Sequence, residues 1–394
     1  MRPDPTTDLL ELMPWSSNKF TEAIRRLQCS SNIQALCRQY LPEMSPTELS
    51  SKAAKIKTAE EFQNAFIAPA ISTMLRKTSD GFTVSGLESV RPSHPRLFLC
   101  NHRDIILDPM LFAYALEQKG LRTPKICLGD NLLNLPVIVD LIKINKGITV
   151  KRNLKMHELH RWLLALSTLI RQNIEGGVDS IWIAHKEGRA KDGDDRTHPG
   201  ILKMLCLTDS DDWMDSLKAL HITPVAISYE WDPCDILKAM ELAATSSEGI
   251  YSKKPNEDVH SMITSLTANK GRIHIAIGSE LSDDRYNVYR HCTRVEGMRA
   301  IACEIDNELH RLFRLWPSYF IAYDALSNSS QMSAYYTKED KERFLQRLEQ
   351  AIALCPRHNQ DIVRELVLRA YAQSVVNAKS HHSETQLPFA IQHS

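Results

Sequence analysis

From about residue 94 to residue 278 the sequence alternates short apolar runs with longer amphipathic runs, and this alternation is the strongest constraint on the fold. The apolar runs predict buried strands at Leu97–Cys100, Lys125–Leu128, Gly147–Lys151, Ser180–Ala184, Thr223–Ser228 and Arg272–Ile277. The amphipathic runs predict helices at Pro109–Lys119, Lys155–Ile174, Pro233–Ala244 and Glu257–Thr267. Such alternation implies a mostly parallel sheet. The predicted fold class is therefore α/β, with a mostly parallel central sheet flanked by helices.

Helical patterns flank this central part and suggest a division of the chain into four regions. We predict an N-terminal helical region at 1–80, an α/β domain at 81–285, a C-terminal helical region at 286–378 and a disordered polar tail at 379–394. Apolar spacing recurs within 18–40 and 58–75. We expect these N-terminal helices to cap the core, and the alternative is an amphipathic surface that rests on lipid.

Composition and charge exclude several classes of protein. Lys plus Arg and Asp plus Glu each number 48, so no global basic field predicts nucleic-acid binding. The nine cysteines include no Cys-x-x-Cys pair, which argues against a zinc site or a disulfide framework and favours reduced thiols in the cytosol. No signal peptide and no run of 18 apolar residues is visible, so a membrane span is not expected. Binding to a membrane surface stays open.

The stretch Asn101 to Pro109 places a histidine and two carboxylates between a predicted strand and a predicted helix. Asp108 suits the helix N-cap and Pro109 suits the first helical position. In open α/β sheets, ligands bind in the crevice beyond the strand ends, which makes His102, Asp104 and Asp108 candidate site residues. The plain alternative is a cap, a turn residue and a loop histidine.

Two later stretches bring cations to strand ends. Lys151 and Arg152 end the third predicted strand, and an arginine fork with a lysine point charge suits phosphate. Glu187, Gly188 and Arg189 follow the fourth strand, where the glycine allows close approach to a ligand and the glutamate can fix the Arg189 guanidinium. A solvated strand edge and a mixed-charge surface loop are the alternatives.

Taken in order, these stretches resemble the blocks of the glycerolipid acyltransferase family, which acylates glycerol 3-phosphate and 1-acylglycerol 3-phosphate. The matching blocks, spread over residues 95–230, are Asn101-His102 with a following acid, Lys151-Arg152, Glu187-Gly188-Arg189 and Pro224-Val225. Here five residues, not four, separate His102 from Asp108, and Leu107 occupies the usual acid position. We take Asp108 as the matching acid and Asp104 as the fallback. His185-Lys186 is a second departure, because the family typically has an aromatic residue and a proline there.

The resemblance implies an enzyme that moves a fatty acyl group from acyl-CoA or acyl-ACP to a glycerol-phosphate or lysophospholipid hydroxyl. His102 would be the general base and Asp108 would orient it, with backbone N–H groups of the loop stabilising the oxyanion. Lys151, Arg152 and Arg189 would hold the acceptor phosphate. No metal and no bound cofactor is expected, since the acyl thioester is a cosubstrate. The lipid substrates imply a cytoplasmic protein that sits peripherally on the cytoplasmic face of a membrane.

Two other functions fit the same residues. One is a non-catalytic lipid- or phosphate-binding protein in which the inserted residue has broken the His–Asp geometry. The other is a phosphate-ester hydrolase that uses the same cations. Hydrogen-bond reach between His102 and an acid, facing an open pocket, would favour the enzyme.

Overall fold

A computed structural model of the 394-residue chain describes residues 5–133, 135–152, 154–208, 212–248, 251 and 256–379. It contains seven strands, and we label them β1 to β7 in chain order. They are β1 Gly81–Ser85, β2 Leu97–Cys100, β3 Lys125–Gly129, β4 Gly147–Val150, β5 Ile181–Ala184, β6 Thr223–Tyr229 and β7 Arg272–Ile277. Each strand predicted from the sequence is present, with ends that agree within one residue. The predicted tail at 379–394 lies outside the described residues except for Lys379.

The seven strands form one sheet in the order β1-β7-β6-β2-β5-β3-β4. Strands β2 to β6 run in the same direction, since every pair among them is parallel. Strand β7 is antiparallel to β6 and parallel to β1, so β1 and β7, at one end of the sheet, run the opposite way. The prediction of a mostly parallel α/β sheet is confirmed. The loops that follow β2, β4, β5 and β6 therefore emerge at the same edge.

Eighteen α-helices accompany the sheet in the described residues, and we number them α1 to α18. They are α1 Pro5–Leu12, α2 Ser17–Cys29, α3 Ser31–Tyr40, α4 Pro46–Ala53, α5 Ala59–Phe62, α6 Ala68–Thr78, α7 Leu107–Glu117, α8 Pro136–Ile144, α9 Met156–Glu175, α10 Pro199–Leu205, α11 Trp213–Lys218, α12 Asp235–Glu248, α13 Glu257–Thr267, α14 Asp283–Asn287, α15 Arg294–Leu312, α16 Pro317–Ser327, α17 Lys338–Ile352 and α18 Gln360–Lys379. A π-helical turn, Gln63–Ile67, joins α5 to α6.

Both faces of the sheet are covered by helices. Successive residues of a strand point to opposite faces and pack into two different hydrophobic cores. In β2, Leu97 and Leu99 belong to one cluster of buried residues, whereas Phe98 and Cys100 belong to another. The first cluster includes side chains of α9, α15, α16, α17 and α18, and the second includes α6 and α7. The C-terminal helices thus pack on the sheet itself. The four-part division of the chain stays a prediction.

The N-terminal helices turn their apolar faces toward one another. Phe20, Ile24, Leu27, Phe62 and Phe66 are all buried in a third cluster that also includes Ile144 of α8. Within this region lies a cavity of about 400 Å³ with mainly apolar walls. This arrangement matches the expected helical cap. No helix in the described part of the chain is both long and apolar enough to span a bilayer.

Candidate active site

The turn between β2 and α7 is held by two buried carboxylates with different tasks. Oδ1 of Asp104 accepts hydrogen bonds from the backbone N–H groups of Ile106 (3.0 Å) and Leu107 (2.8 Å). It thereby caps the first turn of α7, which begins at Leu107 and not at Pro109. The prediction that Asp108 is the N-cap is wrong, because Asp104 already supplies the oxygen that the helix start requires. Asp108 lies inside the first turn.

Asp108 gathers four hydrogen-bond donors around one buried carboxyl group. Its Oδ2 accepts from the backbone N–H of Arg103 (2.7 Å) and of Asp104 (2.8 Å), and it lies 3.0 Å from Nδ1 of His102. Its Oδ1 accepts from the hydroxyl of Tyr229 at 2.8 Å. The residue is 1% exposed. An ionised carboxylate is acceptor-only and suits four donors. The pair is therefore His102–Asp108, and the inserted residue has not prevented it.

This pairing fixes the orientation of the His102 ring. Because Asp108 accepts, Nδ1 carries the proton and Nε2 is left as an acceptor. The side chain is 15% exposed, so the ring remains reachable from outside. The His102 and Trp182 rings pack edge to face, with ring centroids 6.2 Å apart and an interplanar angle of 76°. The His102 carbonyl accepts from the N–H of Ala190 at 2.7 Å, which ties the loop after β5 to the turn.

Tyr229, the last residue of β6, is a site residue that the sequence did not reveal. Burial first, and then the charge of Asp108, raise the pKa of Tyr229 well above its usual range, so the hydroxyl keeps its proton and donates. The backbone carbonyl of Tyr229 in turn accepts from the hydroxyl of Tyr319 on α16 at 2.8 Å. A C-terminal helix thus supports the strand end beside the site. In sequence, the stretch from Ile222 to Tyr229 indicates only a buried strand.

The Asp104 carboxylate contacts the start of α7 and Cys234. Burial, and then the neighbouring Asp108, raise the pKa of Asp104, whereas the hydrogen bond from Leu107 and the charge of Arg189 lower it. Its second oxygen lies 3.8 Å from Sγ of Cys234. The fallback residue is therefore a cap in this structure, and its pairing with His102 is not observed.

A buried ion pair between Arg103 and Asp195 stabilises the turn. Arg103 binds Asp195 through its guanidinium, donates to the hydroxyl of Ser374 (3.0 Å) and lies over the ring of Phe313. Burial disfavours the charge of Asp195, but Arg103 lowers the pKa of that carboxyl overall. The partners come from the loop after β5, from the residue that follows α15 and from α18, so sequence proximity gives no signal for them.

Asn101 locks the end of β2 to β6. Its side-chain amide donates to the Ile227 carbonyl (3.0 Å), and its Oδ1 accepts from the Ile227 N–H (2.8 Å).

His185, which departs from the family pattern, is fully buried, and this burial is the main cause that lowers its pKa to about 3. It is therefore a neutral packing residue and not a second base.

The structure only partly supports the expected oxyanion donors. The backbone N–H groups of Arg103 and Asp104 bind Asp108, and those of Ile106 and Leu107 bind Asp104. Within the described contacts of this turn, the N–H of Ile105 makes no hydrogen bond. Most of the loop N–H groups therefore serve to position the carboxylates, and an oxyanion role for the loop stays a prediction.

The predicted anion-binding residues follow β4 and β5, at the same sheet edge as His102. Arg152 lies with its Nε 3.4 Å from Glu187, whose side chain is 75% exposed. The expectation that Glu187 fixes Arg189 is therefore wrong, since the two loops meet across β3 and bring Glu187 to Arg152. A Cβ at Gly129 would lie 2.6 Å from Nε of Arg152, so this glycine makes room for the guanidinium.

Arg189 and Lys151 occupy different surroundings. In the described residues, Nη1 of Arg189 is buried and has no hydrogen-bond partner, which leaves a donor unused beside Asp104. Gly188 adopts a φ of +75° and has nothing within 4 Å of a Cβ position, so a ligand can approach its backbone. Lys151 binds Glu11 and lies over the Trp162 ring. Its contribution to anion binding stays a prediction.

Comparison with known proteins gives one family match. Residues 81–228 match the family model described as Acyltransferase. A solved structure, the 1-acyl-sn-glycerophosphate (LPA) acyltransferase PlsC from Thermotoga maritima, is similar at 12% identity and a TM-score of 0.36, covering 73% of this chain and 91% of that one. A TM-score this low does not establish a shared fold. No curated protein matches the chain in sequence.

Proposed function

Residues 81–228 form an acyltransferase-family domain, and from this premise we propose that the protein is a glycerolipid O-acyltransferase of phospholipid biosynthesis. It would move a fatty acyl group from acyl-CoA or acyl-ACP to a hydroxyl of a glycerol phosphate or lysophospholipid. The observation that carries the proposal is the 3.0 Å contact between Nδ1 of His102 and Asp108 at a reachable ring. That contact is the geometry that general-base catalysis needs.

The chemistry of the transfer follows from this ring orientation. Nε2 of His102 takes the proton of the acceptor hydroxyl while its oxygen attacks the thioester carbonyl carbon. The charge of Asp108 stabilises the imidazolium that forms, as in a catalytic triad that lacks the serine. The tetrahedral intermediate collapses, the C–S bond breaks, and the imidazolium returns the proton to the leaving thiolate. The products are an ester and a free thiol, and His102 is again neutral.

Two arginines support an acceptor that carries phosphate. Among the described residues, Nη1 of Arg189 is buried without a hydrogen-bond partner, and the Arg152 side chain forms an ion pair with the exposed Glu187 at 3.4 Å. A phosphate can satisfy both with charge-assisted hydrogen bonds, which are the stronger kind. Phosphate binding at Arg152 requires displacing or sharing the Glu187 contact, a small loss because this ion pair is solvent-exposed.

The acyl chain and the membrane are the remaining parts of the proposal. The 400 Å³ apolar cavity among the N-terminal helices is bounded partly by Met110 of α7, two residues after Asp108. An apolar space that reaches this helix suits an acyl chain. Because the substrates are lipids, we place the protein on the cytoplasmic face of a membrane as a peripheral protein. The apolar faces of the N-terminal helices pack inward, so the argument for this location comes from the lipid nature of the substrates.

The geometry argues against one of the alternative functions, and the products of the reaction distinguish the other. A non-catalytic binding protein was suggested by the extra residue before Asp108, yet the histidine and the acid are in hydrogen-bond reach. A phosphate-ester hydrolase would use the same two arginines. It would release inorganic phosphate, whereas the proposed enzyme releases a thiol.

A thiol-release assay separates these functions. Acyl-CoA and acyl-ACP of several chain lengths are offered with glycerol 3-phosphate, lysophosphatidic acid or a lysophospholipid, and free thiol and inorganic phosphate are measured in parallel. We expect thiol release that requires an acceptor hydroxyl and yields an ester. Phosphate release without thiol release would establish the hydrolase, and the absence of both with every pair would overturn catalysis.

A further inference from the structure

Three side chains of types that can ligate a metal ion lie close together at the edge of the sheet opposite to His102. His94 precedes β2, His221 precedes β6, and Glu280 follows β7. Strands β2 and β6 are parallel and begin at this edge, and the antiparallel β7 ends there. Topology alone therefore brings together residues that are 59 to 186 positions apart. The proposed transferase mechanism uses none of them.

The three side chains are already arranged around a common point. Oε2 of Glu280 lies 3.3 Å from Nε2 of His94, and Oε1 lies 2.6 Å from Nδ1 of His221. The two imidazole rings are 4.1 Å apart at 56°. Ligand atoms, one from each residue, all lie within 4.8 Å of one another. Their side chains are 34–40% exposed, so an ion and its water can enter.

We propose that His94, His221 and Glu280 form a divalent transition-metal site, with zinc as the natural occupant and water as the fourth ligand. Zinc takes imidazole nitrogen and carboxylate oxygen at about 2.0–2.2 Å in a tetrahedron, which places neighbouring ligand atoms about 3.3 Å apart. The 3.3 Å spacing between Glu280 and His94 already matches this value. Two imidazoles favour zinc over calcium or magnesium, which prefer sets of oxygen ligands.

The backbone at His221 is strained, which suggests that this position is retained for its histidine side chain. His221 adopts a φ of +50°, which is uncommon for a residue other than glycine. Nearby, the buried Arg96 places its Nε 3.5 Å from the carbonyl of His94 and holds that segment. Its positive charge beside Glu280 opposes cation binding and predicts a moderate rather than an extreme affinity.

A site at this position would connect the starts of β2 and β6. The opposite ends of these strands carry His102 and Tyr229, respectively. Metal ligation by residues before both strands would resist their separation, because anything that binds only the folded state stabilises it. The ion is thus a structural clamp remote from the reacting groups. This inference does not depend on the proposed transferase function.

Metal binding by the full-length, untagged chain tests the proposal. The protein is stripped with a chelator, and Zn²⁺ binding is measured by competition with a chromophoric indicator. The variants are His221→Asn, because asparagine tolerates a positive φ, and Glu280→Gln, which keeps the side-chain shape. The matched control is His291→Ala, an exposed histidine outside the cluster. Thermal unfolding in chelator shows whether each variant folds.

We expect the wild type and the control to bind one more equivalent of Zn²⁺ than either variant, or to bind it at least about tenfold more tightly. Even residues that only support a ligand typically contribute ten- to a hundredfold. Zn²⁺ should raise the unfolding temperature of the wild type and control more than that of the variants. Co²⁺ should give the d–d bands of a nitrogen and oxygen set. Equal binding by all four proteins, or a Co²⁺ spectrum dominated by thiolate charge transfer, would overturn the site.

Discussion

The hydroxyl of Tyr229 donates a 2.8 Å hydrogen bond to Oδ1 of Asp108, the carboxylate oxygen that does not face His102. The carboxylate is therefore held from two sides, by a strand end and by its own turn. This relationship makes Tyr229 a positioning residue for the His102–Asp108 pair, because it acts on the histidine only through the acid.

We expect Tyr229→Phe to lower kcat by roughly tenfold, since the orientation of His102 depends on a fully bound Asp108. The buried Oδ1 would lose its donor, at a cost of about 1–3 kcal/mol in the free energy of unfolding. Steady-state kinetics and chemical unfolding measure the two effects. Tyr336→Phe is the matched control, since the Tyr336 hydroxyl also donates a 2.8 Å hydrogen bond to a carboxylate, that of Asp324, and both residues belong to the C-terminal helical part of the sequence. Equal kinetic losses in both variants would remove the positioning role.

Much of the fold could be predicted from the sequence because its signals are local. Apolar runs bounded by turns located six of the seven described strands to within one residue, as in β2 at Leu97–Cys100 and β7 at Arg272–Ile277. The start of α7 was misplaced by two residues. The reason is that either Asp104 or Asp108 satisfies the N-cap pattern, and only the three-dimensional turn decides between them.

The sequence predicted a contact in the candidate site only where one short segment contains both residues. His102 and Asp108 belong to the same strand-to-helix segment, so their contact is local in sequence. Tyr229 reaches Asp108 from 121 positions away, and Arg103 reaches Ser374 from 271 positions away. Such contacts depend on strand order and helix packing, which a single sequence does not specify. The pairing of Glu187 with Arg152 was missed for the same reason.

The variants Asp108→Asn and Asp104→Asn should distinguish the roles of the two carboxylates. The Asp108 variant loses the charge that stabilises the imidazolium, and its rate should fall on the order of a hundred- to ten-thousandfold. The Asp104 variant should stay within a few-fold of wild-type activity, because asparagine also caps helices. Both rates are measured at saturating donor and acceptor. An inactive Asp104→Asn beside an active Asp108→Asn would reverse the assignment.

Arg152→Ala and Arg189→Ala should weaken the binding of phosphate-bearing acceptors. Charge-assisted hydrogen bonds contribute about 1.5–3 kcal/mol, so the acceptor KM should rise about tenfold or more in each variant. The donor KM should change much less. Lys151→Ala serves as a comparison, and we expect a smaller effect because Lys151 already binds Glu11. Equal losses for donor and acceptor, or no loss for either, would eliminate the phosphate site.

Stability should fall as the pH drops from about 6.5 towards 4. Burial is the main cause that lowers the pKa of His185 to about 3 and of His274 to about 4. In this window the unfolded chain binds protons at these two residues that the folded chain does not, so lower pH favours unfolding. Each histidine contributes a slope of at most about 1.4 kcal/mol per pH unit.

Asp306 acts in the opposite direction. Burial raises its pKa to about 6, so the folded state holds a proton there that the unfolded state has released, and lower pH favours folding. Chemical unfolding between pH 4 and 7 gives the net slope. His274→Gln should flatten it while the hydroxyls of Thr83 and Ser85 keep a polar partner. An unchanged slope in that variant would show that His274 is not a source of the pH dependence.

The most direct test of the account is acyl transfer by His102→Ala. The residue lies in a strand-to-helix turn with its ring partly exposed, so the fold should survive its loss, and thermal unfolding checks this. Loss of a general base costs on the order of a hundred- to ten-thousandfold in rate. We predict a folded protein whose thiol release with the best donor and acceptor falls by that amount. A folded His102→Ala protein with near-normal transfer would contradict the assignment of this site.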